Sequence, residues 1–344
     1  MKTTKTLIPA LLALSAGVSA HADAWNDANN PALMNGGYEY RFSQLPLQAE
    51  LTNKPWSETY WATDKGSINI RWNQVNEDGF DYKLPSRFAI AQMSKEEIAT
   101  LSPSEKFDIY LGRYDFPIHQ DVASFANPHV TWWKGLCDGW SMTAIQFAEP
   151  KAVEVTNADG VVIPFGSSDL KGLLAYYAQM ISGMEKTYVG EQCSGIGRFF
   201  HNSGCEDINP GALQVILANQ IGIKKQAFVI DRDPGKQIWN QPVYGYKTEV
   251  RGSAESKAAS GILVHTTLYY TDELPKSSMT PVLGTDNFHF DTMEMDYVLD
   301  LDYSGRIVGG KYEKNSEHPD LAWMPKGEIK INGDFQKLND LLQK

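Results

Sequence analysis

The chain has 344 residues, a formal net charge of -11, 42% hydrophobic residues and 11% aromatic residues. That balance excludes a binder of nucleic-acid phosphate, which needs clustered Lys and Arg, and it excludes an intrinsically disordered chain. The length permits one large domain or two ordinary ones, with apolar content enough for a sizeable core.

The chain starts with MKTTK, which is basic, then LIPALLALSAGVSA, which is short and apolar, and small residues follow at Ala20, Ala22 and Ala24. This layout predicts a signal peptide over residues 1–22, too short for a transmembrane helix. No later run is apolar enough to cross a bilayer, so the expected protein is secreted or periplasmic, with no membrane span. Residues 23–92 read as an irregular, aromatic N-terminal extension packed on a core formed by 93–344, with strand-like pieces such as SINIRWNQV (67–75).

Residues 93–114 read as two short helices, with Ser94 and Ser102 as N-caps and Glu96, Glu97 and Glu105 in the first turns. SSDLKGLLAYYAQMISGMEK (167–186) has the spacing of a buried amphipathic helix. In NPGALQVILANQIG (209–222), Asn209 is the cap, Pro210 opens the first turn and Gly222 is the expected stop. From there QAFVID, QPVYGYKTEV, GILVHTTLYYTDE, MEMDYVLDLD and GRIVGGKY read as consecutive antiparallel strands. Helices followed by strands predict an α+β fold, with a helical part packed on an antiparallel sheet.

An exported protein with three cysteines has one left over. Cys193 and Cys205 bracket CSGIGRFFHNSGC, a polar, glycine-rich loop that a disulfide would clip. Cys137, in VTWWKGLCDGWSMTA, is then the free thiol, placed where a helix can begin. A helix N-terminus favours thiolate, so Cys137 is the candidate nucleophile.

A cysteine nucleophile needs an imidazole from elsewhere in the chain. His119 and His129 precede it, His201 lies in the clipped loop and His318 in a polar loop. His265 stands on a defined strand face in GILVHTTLYY, and His289, in NFHFD, is the reserve. If the MEMDYVLDLD strand pairs with the His265 strand, Asp300 falls opposite His265 and completes a triad, with Asp302 in reserve. DLDYSG resembles the start of a calcium loop but has Lys311 at the twelfth position, where an acid belongs. The chemistry requires no cofactor and no metal. Calcium held loosely by surface acids stays open.

Several stretches together resemble the transglutaminase elicitor family of oomycete plant pathogens and bacteria. WWKGLCDGWSMTA is similar to the family's W-x-G-x-C-H-G-W cysteine motif. EDINPGALQVILANQIG is similar to its Asn-Pro-Gly helix, and IWNQPVYGYK (238–247) to the peptide that plants recognise. DLDYSGRIVGGKY, HPDLAW (318–323) and LSPSEKFDIYLG (101–112) also fit. The resemblance implies a papain-like, transglutaminase-type cysteine core. It implies a protein-glutamine gamma-glutamyltransferase in which a Cys137 thioester joins peptide glutamine to lysine, with His265 and Asp300 as partners. Its partners would be proteins or peptides bearing Gln and Lys side chains. Trp132, Trp133, Trp140 and Trp239 would line the cleft or serve the oxyanion, and Gln241 would be structural or cleft-lining. Asp138 stands where the family often has His, and Gln214 where its helix often has His. The alternatives are a peptidase, amidase or glutamine deamidase on the same site, or a secreted elicitor or binding protein with a dead one.

Overall fold

The computed structural model describes residues 24–75, 82–192, 207–233, 235–274 and 288–343. The leader expected over 1–22 and the expected Cys193–Cys205 bridge lie outside the described residues.

Local chemistry sets the helices. After strand β1 (Gln48–Glu50) comes α1 (Arg87–Ile90), capped by Ser86. Ser94 and Ser102 then open α2 (Lys95–Ala99) and α3 (Pro103–Tyr110) with reciprocal capping boxes to Glu97 and Glu105, as the serine and glutamate spacing predicts. Helix α4 (Pro117–Phe125) has no side-chain cap at its N-cap residue; the buried Asp108 carboxylate accepts from the N–H groups of Ile118 and His119 at 3.2 and 3.0 Å. Helix α5 (Cys137–Ala144) and the hairpin β2 (Val153–Thr156) and β3 (Val162–Phe165) lead into α6 (Ser167–Tyr176), which runs on as a π-turn over Tyr177–Ile181.

Strand β4 (Lys186–Gly190) precedes α7 (Pro210–Leu217). Asn209 caps α7 as expected, its side chain accepting from the Gly211 N–H at 2.9 Å. Gly222 does not end it. A π-turn continues over Ala218–Lys224, and Lys225, at φ 56°, stops it. Gly222 is needed for closeness instead, since a Cβ there would sit 2.5 Å from Pro46 Cγ.

The rest of the chain is β5 (Phe228–Asp231), β6 (Asn240–Ala254), β7 (Ser260–Asp272), β8 (His289–Leu301), β9 (Ile307–Tyr312), β10 (Leu321–Pro325) and a terminal α8 (Leu338–Leu342). The strands join in one antiparallel sheet ordered β4-β10-β5-β6-β7-β8-β9, with β1 added along β6. The architecture is α+β, as expected.

Two cores share this sheet. One packs α7 on it, around Leu213, Val215, Phe228, Ile230, Val264 and Tyr297. The approach is close enough that a Cβ on Gly211 would meet Gly309 O at 2.2 Å. The other gathers α2 to α6 with Val229 and Trp323, and includes Trp56, Trp61 and Ile68 from the N-terminal segment. Within it Asp169 is the fixed point: it binds Lys106 Nζ at 2.7 Å, Trp72 Nε1 at 2.9 Å and the Gly166 N–H at 2.7 Å. A buried ion pair of this kind contributes register more than net stability, and the register here is that of α6, against which α5 rests.

Candidate active site

Helix α5 begins at Cys137 because the residues before it cannot continue inward. The Leu136 N–H donates to Tyr60 O at 2.6 Å, and a Cβ on Gly135 would collide with that same oxygen at 2.1 Å. Gln179, on the π-turn after α6, spans the helix start: its Nε2 donates to Gly135 O and its Oε1 accepts from the Gly139 N–H, both at 3.0 Å. Gly139 lets α5 lie directly on α6, since a Cβ would come within 1.9 Å of Ala175 O. The sulfur is thus fixed at the head of a helix, as the sequence suggested.

Its ionisation is not as expected. Cys137 is only 7% exposed, and burial pushes its thiol up to about 12, with Asp138 and Glu273 adding negative charge. These effects outweigh the helix N-terminus. The surroundings are polar nonetheless: Sγ lies 3.8 Å from Ile238 O and 3.7 Å from Asn240 Nδ2. Asn240 Nδ2 also donates to Asp138 Oδ1 at 2.9 Å, and Trp323 Nε1 donates to Asn240 Oδ1 at 2.8 Å. Lys186 Nζ binds the second oxygen of Asp138 and stands 4.8 Å from the centre of the Trp323 ring.

Beside the sulfur is an aromatic shelf. The Trp239 ring lies 5.4 Å from Tyr60, edge-on, and 5.7 Å from Trp132, while Tyr60 OH donates to Trp132 O at 3.1 Å. Trp132 is 55% exposed, so this shelf faces solvent. Trp239 is braced by its N–H to Asp231 Oδ1 at 2.8 Å. Trp133 is half-buried. Trp140 is a core residue rather than a cleft residue: it is fully buried and its indole donates to Trp56 O. Gln241 is also fully buried, with its amide beside the Glu273 carboxyl.

The structure does not bring His265 to Cys137. Asn240 touches the sulfur, whereas Glu249, nine residues further along β6, faces His265. Nine residues of strand span about 30 Å. His265 instead forms a surface cluster, with Nε2 2.9 Å from Glu294 and Nδ1 2.9 Å from Asp296. Nor does Asp300 face His265: the register puts Asp296 there and sets Asp300 against Gly261, where it accepts from Ser256 Oγ. The shift is four residues, an even number, so it leaves every side chain on the face the alternation predicted. Asp302 closes the β8–β9 turn, taking the N–H groups of Ser304 and Arg306 at 2.8 and 3.0 Å, so DLDYSG is a turn rather than a calcium loop. Among the described residues no group of three or more His, Cys, Asp or Glu side chains could hold a metal ion. His289 opens β8, its Nδ1 3.1 Å from Glu273 O and 3.5 Å from Asp272 Oδ2.

Two buried acids stand at the sulfur's end of the sheet: Asp231, paired with Asn240, and Glu273, which follows β7. Val243 pairs with Tyr270 at that end of the β6–β7 ladder, and Glu273 comes directly after β7. Burial, together with Asp272, raises the Glu273 carboxyl to about 8 against the opposing pull of the Gln241 amide. Gln214, on α7, lies in the other core, where its Oε1 accepts from Tyr297 OH at 2.6 Å and Thr248 Oγ1 at 3.1 Å. Its place in the histidine pattern therefore falls outside the cysteine site. Asn240, Glu273, Lys186 and Trp323 were not named as site residues from the sequence. Asn240 and Trp323 left a signal, by standing inside the WNQPV and HPDLAW stretches.

Cys137, Asn240 and Glu273 fall within one stretch of the chain that is recognisable. Residues 123–276 match the transglutaminase elicitor family. The resemblance read from the cysteine and WNQPV motifs is thereby shown. Among solved structures, the fold is similar to the crystal structure of the GP42 transglutaminase from Phytophthora sojae, with a TM-score of 0.69 and 22% identity, covering 93% of this chain and 98% of that one. At that identity the likeness is one of fold. No curated protein matches the chain. Among the described residues no helix is long and apolar enough to cross a membrane.

Proposed function

We propose that this transglutaminase elicitor relative is an exported protein-glutamine gamma-glutamyltransferase with a papain-like layout and Cys137 as its nucleophile. The observation that carries this reading is Cys137 Sγ at the head of α5, held against Asn240 and within electrostatic reach of the buried Glu273 carboxyl. Glu273 takes the role the sequence gave to His265. As a carboxylate it accepts the thiol proton while sulfur attacks the γ-carboxamide carbon of a substrate glutamine. Since the thiol titrates well above Glu273, the thiolate forms only as attack proceeds. The proton passes to the departing ammonia, and the thioester is then taken by a lysine amine, releasing the Cys137 thiol and leaving an isopeptide bond. The Trp132, Trp239 and Tyr60 shelf gives the peptide stems an apolar surface and excludes water, which favours amine over hydrolysis. No cofactor is needed for these steps.

Incorporation of a fluorescent primary amine into casein tests the assignment. Wild-type protein labels casein and Cys137→Ala does not; labelling that survives Cys137→Ala overturns the nucleophile. Release of ammonia without amine incorporation would assign a deamidase, and an added chelator in the same assay tests calcium. One observation favours a second reading, a catalytically silent elicitor-like binding protein: the resting thiol is buried and protonated, with Asp138 where the family often has histidine. A native protein inert in every arm would establish it.

A further inference from the structure

The orientation of the Asn240 amide is fixed twice over. An indole N–H can only donate, so the atom that Trp323 Nε1 meets at 2.8 Å is the amide oxygen. A carboxylate can only accept, so the atom that Asp138 Oδ1 meets at 2.9 Å is the amide nitrogen. Both partners therefore hold the amide NH2 at Cys137 Sγ, 3.7 Å away, with one N–H given to Asp138 and the other facing the sulfur. Asp138 would be a poor choice for this task alone, because its charge opposes a thiolate. Lys186 answers that charge, and it is itself seated on the Trp323 ring. The ring Cys137, Asn240, Trp323, Lys186, Asp138 closes on itself, with members drawn from α5, β6, β10 and β4.

We infer that Asn240 is the group that stabilises the ionised sulfur, and that Trp323 and Lys186 are positioning residues, Trp323 locking the amide and Lys186 neutralising Asp138. This rests on Cys137 being the nucleophile. A donor aimed at sulfur favours the thiolate, and a neutralised Asp138 costs it less. Neither Trp323 nor Lys186 touches a reacting atom, so each acts through its neighbour.

The test is the rate of Cys137 alkylation by iodoacetamide in native full-length protein between pH 7 and 10, which tracks the thiolate fraction. Asn240→Leu, close in size, uncharged and unable to donate, should slow alkylation at pH 9 about tenfold or more, and Trp323→Phe and Lys186→Met should each slow it severalfold to tenfold. The decisive variant is the double one. If Lys186 works by neutralising Asp138, adding Asp138→Asn to Lys186→Met restores the rate; a lysine that only props up the fold gains nothing from it. Alkylation profiles for Trp323→Phe and Lys186→Met that match wild type overturn the inference, as does a double variant no faster than Lys186→Met. Should Trp323→Phe fail to fold, the Lys186 and Asp138 pair decides by itself. Wild-type Cys137 that alkylates only in denaturant sinks the nucleophile reading instead, a result separable from the other two.

Discussion

A single carboxyl decides how this site takes a proton. Glu273 is neutral below about pH 8, because burial and Asp272 hold its proton on. Only the carboxylate can serve as a base, so amine incorporation should climb as pH rises through about 8. Glu273→Gln keeps the shape and removes the base. Its kcat should fall by about two to four orders of magnitude, and the climb near pH 8 should vanish from its profile. His265→Asn gives the contrast, since the imidazole sits in a surface ion cluster far along the sheet. Its rate should stay within about twofold of wild type, surface substitutions of this kind being nearly neutral. A Glu273→Gln protein with an unaltered profile would return the role of base to some other group.

The elements show which features a sequence can disclose. The capping serines, Asn209 and the in-and-out alternation of the strands act within a few residues, and all of them were legible. The helix start at Cys137 was legible too, because turn glycines and a periodic run flank it. Strand register was not. Sixteen residues separate β7 from β8 in the sequence, a length that does not set the register, and a slip of four residues preserves the hydrophobic face. Glu273 was invisible for another reason: a glutamate after a strand reads as solvated until a fold buries it. Close packing between elements is equally silent in sequence, and Gly139 is the sharpest case. Gly139→Ala would drive a Cβ into the backbone of α6, which cannot give way as a flexible side chain does. We expect a loss of about 3 kcal/mol, read from the urea midpoint at unchanged m, with amine incorporation lost in proportion to the displaced Cys137.

Over the whole molecule, buried acids give stability a pH dependence of definite sign. Burial raises Glu58, Asp108 and Asp231 to about 7, and Glu273 to about 8. In the unfolded chain such groups ionise near pH 4. Between those limits the folded protein binds more protons than the unfolded one, so stability falls as pH rises. The contribution is whole below the unfolded values and is gone once the folded groups ionise at about 7 to 8. His119 runs the other way: burial lowers its pKa, so it weakens the fold as acid protonates the unfolded chain below about pH 6.5. Burial also raises Asp169, and lowers Lys106 in the sense of His119, so the raised carboxyls outnumber the lowered bases and leave the acids in control. The formal charge of -11 adds self-repulsion in the same direction. The thermal midpoint should therefore be higher at pH 5 than at pH 8, and Glu58→Gln should narrow the difference. Glu58 is the informative choice because it lies wholly buried beside Lys171 and its carboxyl is not among the sulfur's hydrogen-bond partners, Ile238 and Asn240. A midpoint that rises from pH 5 to pH 8 would mean that these acids are ionised in the fold, and Glu273 would then be a ready base at neutral pH rather than one that waits for alkali.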